Sequence, residues 1–507
     1  MMRSPRAGRH RMRASGILLP VSSLPSRYGI GCFSRSAYRW IDFLKKSGQT
    51  FWQILPLSQT GYGDSPYQSV STFAGNPYFI SFDDLIDEGL LTREECDSAA
   101  LGTNPSYVDY GKQYENRYPL LRKAFENSKK RGDEEFLAFE KEEEYWLLDF
   151  ALYMAVKNAH GGKAWTEWEE DLVKRRPETI EKYKDELSEE ILFYEYLQFW
   201  FLKQWKKVKA YANENGIKII GDMPIYVAFD SADAWTHPDM FQFDEDMKPV
   251  AVAGCPPDGF TEDGQLWGNP LYRWDAHAKD GYKWWISRVA HSKLLYDVIR
   301  IDHFRGFETY YCIPYGMENA KTGTWEKGPG TNLFSAINTL VPDVEIIAED
   351  LGFITPEVKA MVAECGYPGM KVLEFAFGGG YKNDYLPYNY QENSVVYTGT
   401  HDNETLMQYL EDIPEHTKKH ITDYLGMPDA SDADLCDGLI RLAMLSVSKY
   451  CIIPIQDYLH EGRYARINFP SSLGGNWEWR TTKECFTDEL SEKILKLTQL
   501  SDRMPQE

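Results

Sequence analysis

At 507 residues the chain is far larger than a domain whose core is marginal, and it admits either several domains or one large barrel with insertions. Its 55 basic and 77 acidic side chains leave a net charge of −22, an acidic surface that repels phosphate and argues against nucleic acid as the main partner. Aromatic residues make up 14% of the chain, with 15 Trp and 33 Tyr, a content that suits stacking on sugar rings as well as filling a core.

In chain order, the basic stretch 1–14 reads as a disordered tail rather than a secretory signal. The apolar run after it is short and holds a proline, and no small-residue cleavage site follows. Met12 is an alternative start. Short apolar runs then recur at 16–21, 51–57, 217–225, 298–302, up to Glu349, 371–377, up to Asp402, and 451–457. Helical patterns lie between most of them, as at 36–46, 356–365 and 435–448. Eight such runs with helices between them predict an α/β fold, a (β/α)8 barrel spanning 15–480. Two stretches are too long for simple crossovers. The one at 58–215, after the second strand, reads as a helical subdomain, with helices at 140–158 and 189–212. In the first, Trp146, Leu147, Phe150, Tyr153 and Met154 lie on or near one apolar face. The other, at 229–296 after the third strand, is rich in Gly, Pro, Trp and Asp and reads as a loop-rich subdomain over the barrel mouth. Residues 481–507 read as a C-terminal helix and tail. The eight cysteines are scattered without a CxxC pair, which suggests reduced thiols in a cytoplasmic protein. No apolar run approaches the ~18 residues of a membrane span.

Charge gathers at the ends of three of the runs. Asp302 follows Val298, Ile299 and Ile301, Glu349 and Asp350 close the fifth run, and His401 and Asp402 close the seventh. The C-terminal ends of barrel strands are where catalytic groups sit. Two carboxyl groups about 5–5.5 Å apart suffice for glycosyl transfer with retention, one as nucleophile and one as acid/base. Asp302 and Glu349 on neighbouring strands fit that need, and Asp402 is a third acid for binding sugar hydroxyls. Arg300, two residues before Asp302, points the same way along the strand and is expected to keep that carboxylate ionised. His401 suits either a hydrogen bond to a substrate hydroxyl or a purely structural one. Gly378-Gly-Gly380 lacks the Lys-Ser/Thr of a phosphate loop, and the histidines and acids show no metal-ligand spacing. Neither a cofactor nor a metal is expected.

One ordered set of motifs adds to this reading. It comprises Ser15-Gly-Ile-Leu-Leu-Pro-Val-Ser-Ser-Leu-Pro-Ser, Gly63-Asp-Ser-Pro-Tyr-Gln68, Gly221-Asp-Met-Pro-Ile-Tyr-Val227 and the stretch from Pro256 to Pro270. Arg300-Ile-Asp-His-Phe-Arg-Gly306, Ala348-Glu-Asp-Leu-Gly352, Thr398-Gly-Thr-His-Asp-Asn403 and Gly475-Asn-Trp-Glu-Trp-Arg480 complete it. Together they closely resemble the amylomaltase family, the 4-α-glucanotransferases of glycoside hydrolase family 77, over 15–480. The resemblance implies Asp302 as nucleophile, Glu349 as acid/base and Asp402 as transition-state stabiliser. It implies Arg300 and His401 as residues that hold the sugar at the cleavage point, with Tyr67 as the aromatic platform there. Asp258, Gln265 and Trp267 lie on a loop similar to the family's mobile loop, and Asn468 lies in a stretch similar to one that contacts the donor sugar. Asp222 matches the aspartate after the third strand, where capping of backbone amides is an equal alternative. The family's Pro-Gly-Thr before the last Gly-Asn-Trp is replaced here by Pro470-Ser-Ser-Leu-Gly-Gly. The implied substrates are maltooligosaccharides, α-1,4-glucan and glucose, with no nucleic acid, membrane or obligate protein partner. An α-glucan hydrolase with the same acids and a non-catalytic glucan-binding barrel are the rival expectations.

Overall fold

A computed structural model describes residues 13–61, 63–129, 134–257, 261–352, 354–472 and 474–505. Eight parallel strands close a barrel: β1 Ala14–Leu18, β2 Phe51–Gln53, β3 Lys218–Met223, β6 Val298–Ile301, β9 Glu345–Ala348, β10 Gly369–Val372, β11 Ser394–Tyr397 and β12 Tyr450–Pro454. Their order around the barrel, β1-β12-β11-β10-β9-β6-β3-β2, is the chain order, as expected of a (β/α)8 fold. Each expected run contains or overlaps a strand. The sixth is shifted: β10 ends at Val372 and Leu373–Phe375 is a 3-10 turn. Most strand residues are fully buried because helices cover the outside and side chains fill the inside.

The expected tail falls mostly on residues 1–12, outside the described residues. Arg13 already donates to the carbonyls of Met444, Ser446 and Ser501, and β1 starts at Ala14. Between β2 and β3 run the helices Tyr110–Ser128, Leu147–Ala159 and Ser188–Glu214, among others. The single helix expected at 140–158 is two helices, Glu134–Glu142 and Leu147–Ala159. The buried Glu143 side chain accepts from Trp146 Nε1 at 2.7 Å at the break, so the chain turns to satisfy a buried carboxyl.

The stretch 229–296 is more regular than its composition suggests. It holds β4 Ala251–Cys255 and β5 Gln265–Pro270, and the helices Trp274–Lys279 and Lys283–Leu295. After β6 the chain adds β7 Thr309–Pro314 and β8 Thr324–Lys327, and these four form an antiparallel sheet in the order β5-β4-β7-β8. Gln265 and Trp267, expected on a loop, therefore stand on a strand, with Gln265 opposite Cys255. The sheet joins the barrel directly after Asp302 and brings Trp267 to the end of β6: its ring meets His303 edge-on at 4.9 Å.

Candidate active site

The barrel registers align the charged residues. Asp222 is the ladder partner of Arg300 between β3 and β6. Ile301 is the partner of Ala348 between β6 and β9, so Asp302 and Glu349 leave adjacent strands one step further on. Backbone bonds fix this exit: Asp302 N donates to Met223 O at 3.0 Å, Glu349 N to Ile301 O at 3.1 Å, and Phe304 N to Glu349 O at 3.0 Å. His303 adopts φ 49°, a left-handed turn that lets the chain leave the strand sharply.

Arg300 is almost wholly buried. Its Nη1 donates to both oxygens of Asp222 at 2.8 and 2.7 Å, and its Nη2 lies 3.1 Å from Asp302 Oδ1. Tyr67 Oη donates to Asp222 Oδ2 at 2.7 Å. Asp222 is thus held by side chains, and not as a backbone cap. The Tyr67 ring stacks on His401 at 5.0 Å and 10°, with its Oη 3.5 Å from His401 Nδ1. His401 Nε2 lies 3.3 Å from Asp402 Oδ1, which also accepts from Asn468 Nδ2 at 2.7 Å.

Glu349 is held at both oxygens. Oε2 accepts from His303 N at 2.6 Å and Oε1 from Leu351 N at 2.8 Å. A carboxylate has about four acceptor positions, so both bonds leave room for a proton. Burial lifts Glu349 above its ordinary value, while Arg300 and the two amides pull it down. Burial is the leading cause. Neighbouring Asp350 faces elsewhere and accepts from Met370 N at 2.7 Å. Asp302 is also pushed up, first by burial, against the pull of Arg300 and with the charges of Glu349, Asp222 and Asp402 adding to the rise. Arg300 acts on Asp302 in the expected direction, favouring the carboxylate from 3.1 Å, but the guanidinium is shared with Asp222, and burial and the other acids oppose it. Burial keeps His401 neutral by lowering its pKa.

Tyr67, Asp222, Arg300, Asp302, Glu349, His401, Asp402 and Asn468 are brought together by these contacts. Trp267 joins through His303, and Gln265 Oε1 accepts from Trp267 Nε1 at 3.0 Å. Asp258 lies outside the described residues. Among the described residues no three His, Cys, Asp or Glu side chains converge as metal ligands. The sequence reading assigned no role to Trp477, whose ring lies 5.8 Å from Tyr67 and 6.0 Å from His401, although it stands in one of the quoted motifs. It also passed over Arg466, which bonds the Asp402 carbonyl at 2.9 Å, Glu404 at 2.8 Å and the Asn468 carbonyl at 2.8 Å. No sequence pattern marks that residue.

A family model described as 4-alpha-glucanotransferase matches residues 19–485. The 4-alpha-glucanotransferase of Clostridium butyricum is 47% identical over 95% of this chain and 99% of its own. The chloroplastic/amyloplastic 4-alpha-glucanotransferase of Solanum tuberosum is 39% identical over 96% of this chain and 85% of its own. Among solved structures, the amylomaltase of Streptococcus agalactiae in complex with acarbose superposes with a TM-score of 0.94 at 41% identity, over 97% of this chain and all of that one.

Proposed function

The chain belongs to the 4-alpha-glucanotransferase (amylomaltase) family, and from that premise we propose that Asp302 is its nucleophile, Glu349 its acid/base and Asp402 its transition-state stabiliser. It is an enzyme that transfers segments of α-1,4-glucan to a glucose or maltooligosaccharide acceptor. The observation that carries the residue roles is the β6–β9 register. It sets Asp302 and Glu349 just past the ends of adjacent strands, and neighbouring strands in general lie about 4.8 Å apart, the scale of the about 5–5.5 Å carboxyl spacing of a retaining mechanism.

Protonated Glu349 gives its proton to the departing glycosidic oxygen while the Asp302 carboxylate forms a bond to the anomeric carbon. The Asp302 charge is then consumed in an ester. Glu349, now ionised, takes the proton of an acceptor 4-hydroxyl, which displaces Asp302 and restores both groups. Arg300 and Tyr67 fix Asp222 beneath the reacting sugar, and His401 and Asp402 offer polar atoms to its hydroxyls. Trp267 and Tyr67 supply apolar ring faces. Gln265 holds the Trp267 indole, and Asn468 orients Asp402. No helix among the described residues is long and apolar enough to cross a membrane. With eight free cysteines, a cytoplasmic location is the reading we favour.

Incubation with maltotriose tests the assignment. The wild type should yield glucose and longer oligosaccharides with an unchanged number of reducing ends. Asp302→Asn should remain folded and lose at least ~10³-fold in transfer, as expected when a group acting in the chemical step is removed. An Asp302→Asn variant with a large share of wild-type activity would overturn the assignment.

A further inference from the structure

Beneath the segment that carries His401 and Asp402 lies a second group of buried acids that the catalytic scheme does not use. Asp457, on the short helix Ile455–Tyr458 after β12, is 1% exposed. Its Oδ2 accepts from Thr398 Oγ1 at 2.6 Å and its Oδ1 from Leu406 N at 2.8 Å. Thr398 directly follows β11, and Leu406 is the first residue of the helix Leu406–Asp412. One carboxylate therefore joins both ends of the loop 398–406. Within it, Asn403 Oδ1 accepts from Thr400 N and Oγ1, and Arg466 ties down the Asp402 carbonyl. Glu374 closes the loop from below. Its amide donates to Thr398 O at 3.1 Å, and its Oε1, which has no hydrogen-bond partner, would lie 2.7 Å from a Cβ at Gly399.

A buried carboxylate is costly unless its bonds are worth more than its lost hydration. Here both bonds go to the two stems of a single loop. We propose that Asp457 is a positioning residue for the transfer reaction: it clamps the stems of the loop 398–406 so that His401 and Asp402 meet the transition state. This inference rests on the roles proposed for His401 and Asp402. A misplacement of about 1 Å in such groups costs on the order of 10²-fold in rate. Because the loop's side chains are kept and only their alignment with the transition state is lost, the loss should fall on kcat more than on KM.

The test compares Thr398→Val, Thr398→Ser and Asp457→Ala with Asp402→Asn in maltotriose disproportionation. Thr398→Val removes one hydroxyl at nearly constant volume. It should lower kcat about tenfold with KM within about twofold, and Thr398→Ser should restore most of it. Asp457→Ala, losing both bonds, should lower kcat by about 10²-fold. The inference falls if Thr398→Val keeps kcat within twofold, loses only in KM, is not rescued by serine, or fails to fold; an unfolded Asp457→Ala leaves the decision to Thr398→Val. A fully active Asp402→Asn would instead overturn the catalytic reading beneath it.

Discussion

Arg300 bonds both carboxylate oxygens of Asp222 through a single nitrogen, at 2.8 and 2.7 Å. Its other terminal nitrogen is thereby free to reach Asp302 at 3.1 Å. One guanidinium spans two acids on different strands. A lysine carries its donors on one nitrogen and lacks the rigid fork that sets one nitrogen on Asp222 and a second on Asp302. Arg300→Lys should therefore fold, because the buried charge is kept, but lose about 10²-fold in kcat/KM, an effect equal to one well-placed charged hydrogen bond. Steady-state kinetics with maltotriose check this, and activity near wild type would show that the bridge is dispensable.

Glu349→Gln separates the two half-reactions. Natural glucans need a proton on the leaving oxygen, and the amide cannot provide it, so transfer from maltotriose should stall. A glycosyl fluoride has a leaving group that departs without that help. With this donor a glycosyl adduct should accumulate on the peptide containing Asp302, read by mass spectrometry of the quenched variant. Fluoride release with inversion and without an adduct would eliminate the double displacement.

Glu374 ties stability to pH. Burial raises its carboxyl well above the ordinary 4.5, the Asp457 and Glu404 charges add to the rise, and Arg466 pulls it back. The folded state thus holds a proton that the unfolded chain has already released above pH 4.5. The stability this gives is full below that value and is lost as pH rises toward the native pKa. Glu374→Gln, with no proton to lose, should show a smaller fall in Tm between pH 5 and 9 than the wild type. Parallel Tm profiles would refute the assignment.

Gly221 lies directly against Tyr296, so a Cβ there would overlap the ring. The ring is buried and its hydroxyl accepts from Leu57 N at 3.2 Å, which limits how far it can retreat. Gly221→Ala should cost about 1–3 kcal/mol by overpacking. It should also lower activity, since the neighbouring residue is Asp222. Denaturant melts and maltotriose kinetics together check both effects; an unchanged midpoint would mean that β3 yields easily.

Eight apolar runs, each needing a neighbour on both sides to satisfy its backbone, already imply a closed barrel, and acids at the ends of three of them imply chemistry at its mouth. Asp302, Glu349 and Asp402 were legible because a carboxylate ending a buried strand has few other reasons to be there. Asp457 carries the same mark, an acid at the close of an apolar run, and the linear pattern does not separate a clamp from a catalyst. The sheet formed by β4, β5, β7 and β8 was hidden because its strands come from two separate stretches and pair only in space. The break at Glu143 was hidden because a buried carboxyl's partner, Trp146, lies within what reads as one helix. Local pattern thus determined the barrel architecture, and the ordered motifs the family, with Asp302, Glu349 and Asp402 as its candidate acids. Tertiary structure alone decided that Arg300 divides itself between Asp222 and Asp302, that burial more than neighbouring charge lifts Glu349, and that one buried carboxylate holds the loop of His401 and Asp402. Those properties depend on distance and desolvation between residues far apart in the chain, which no stretch of sequence contains.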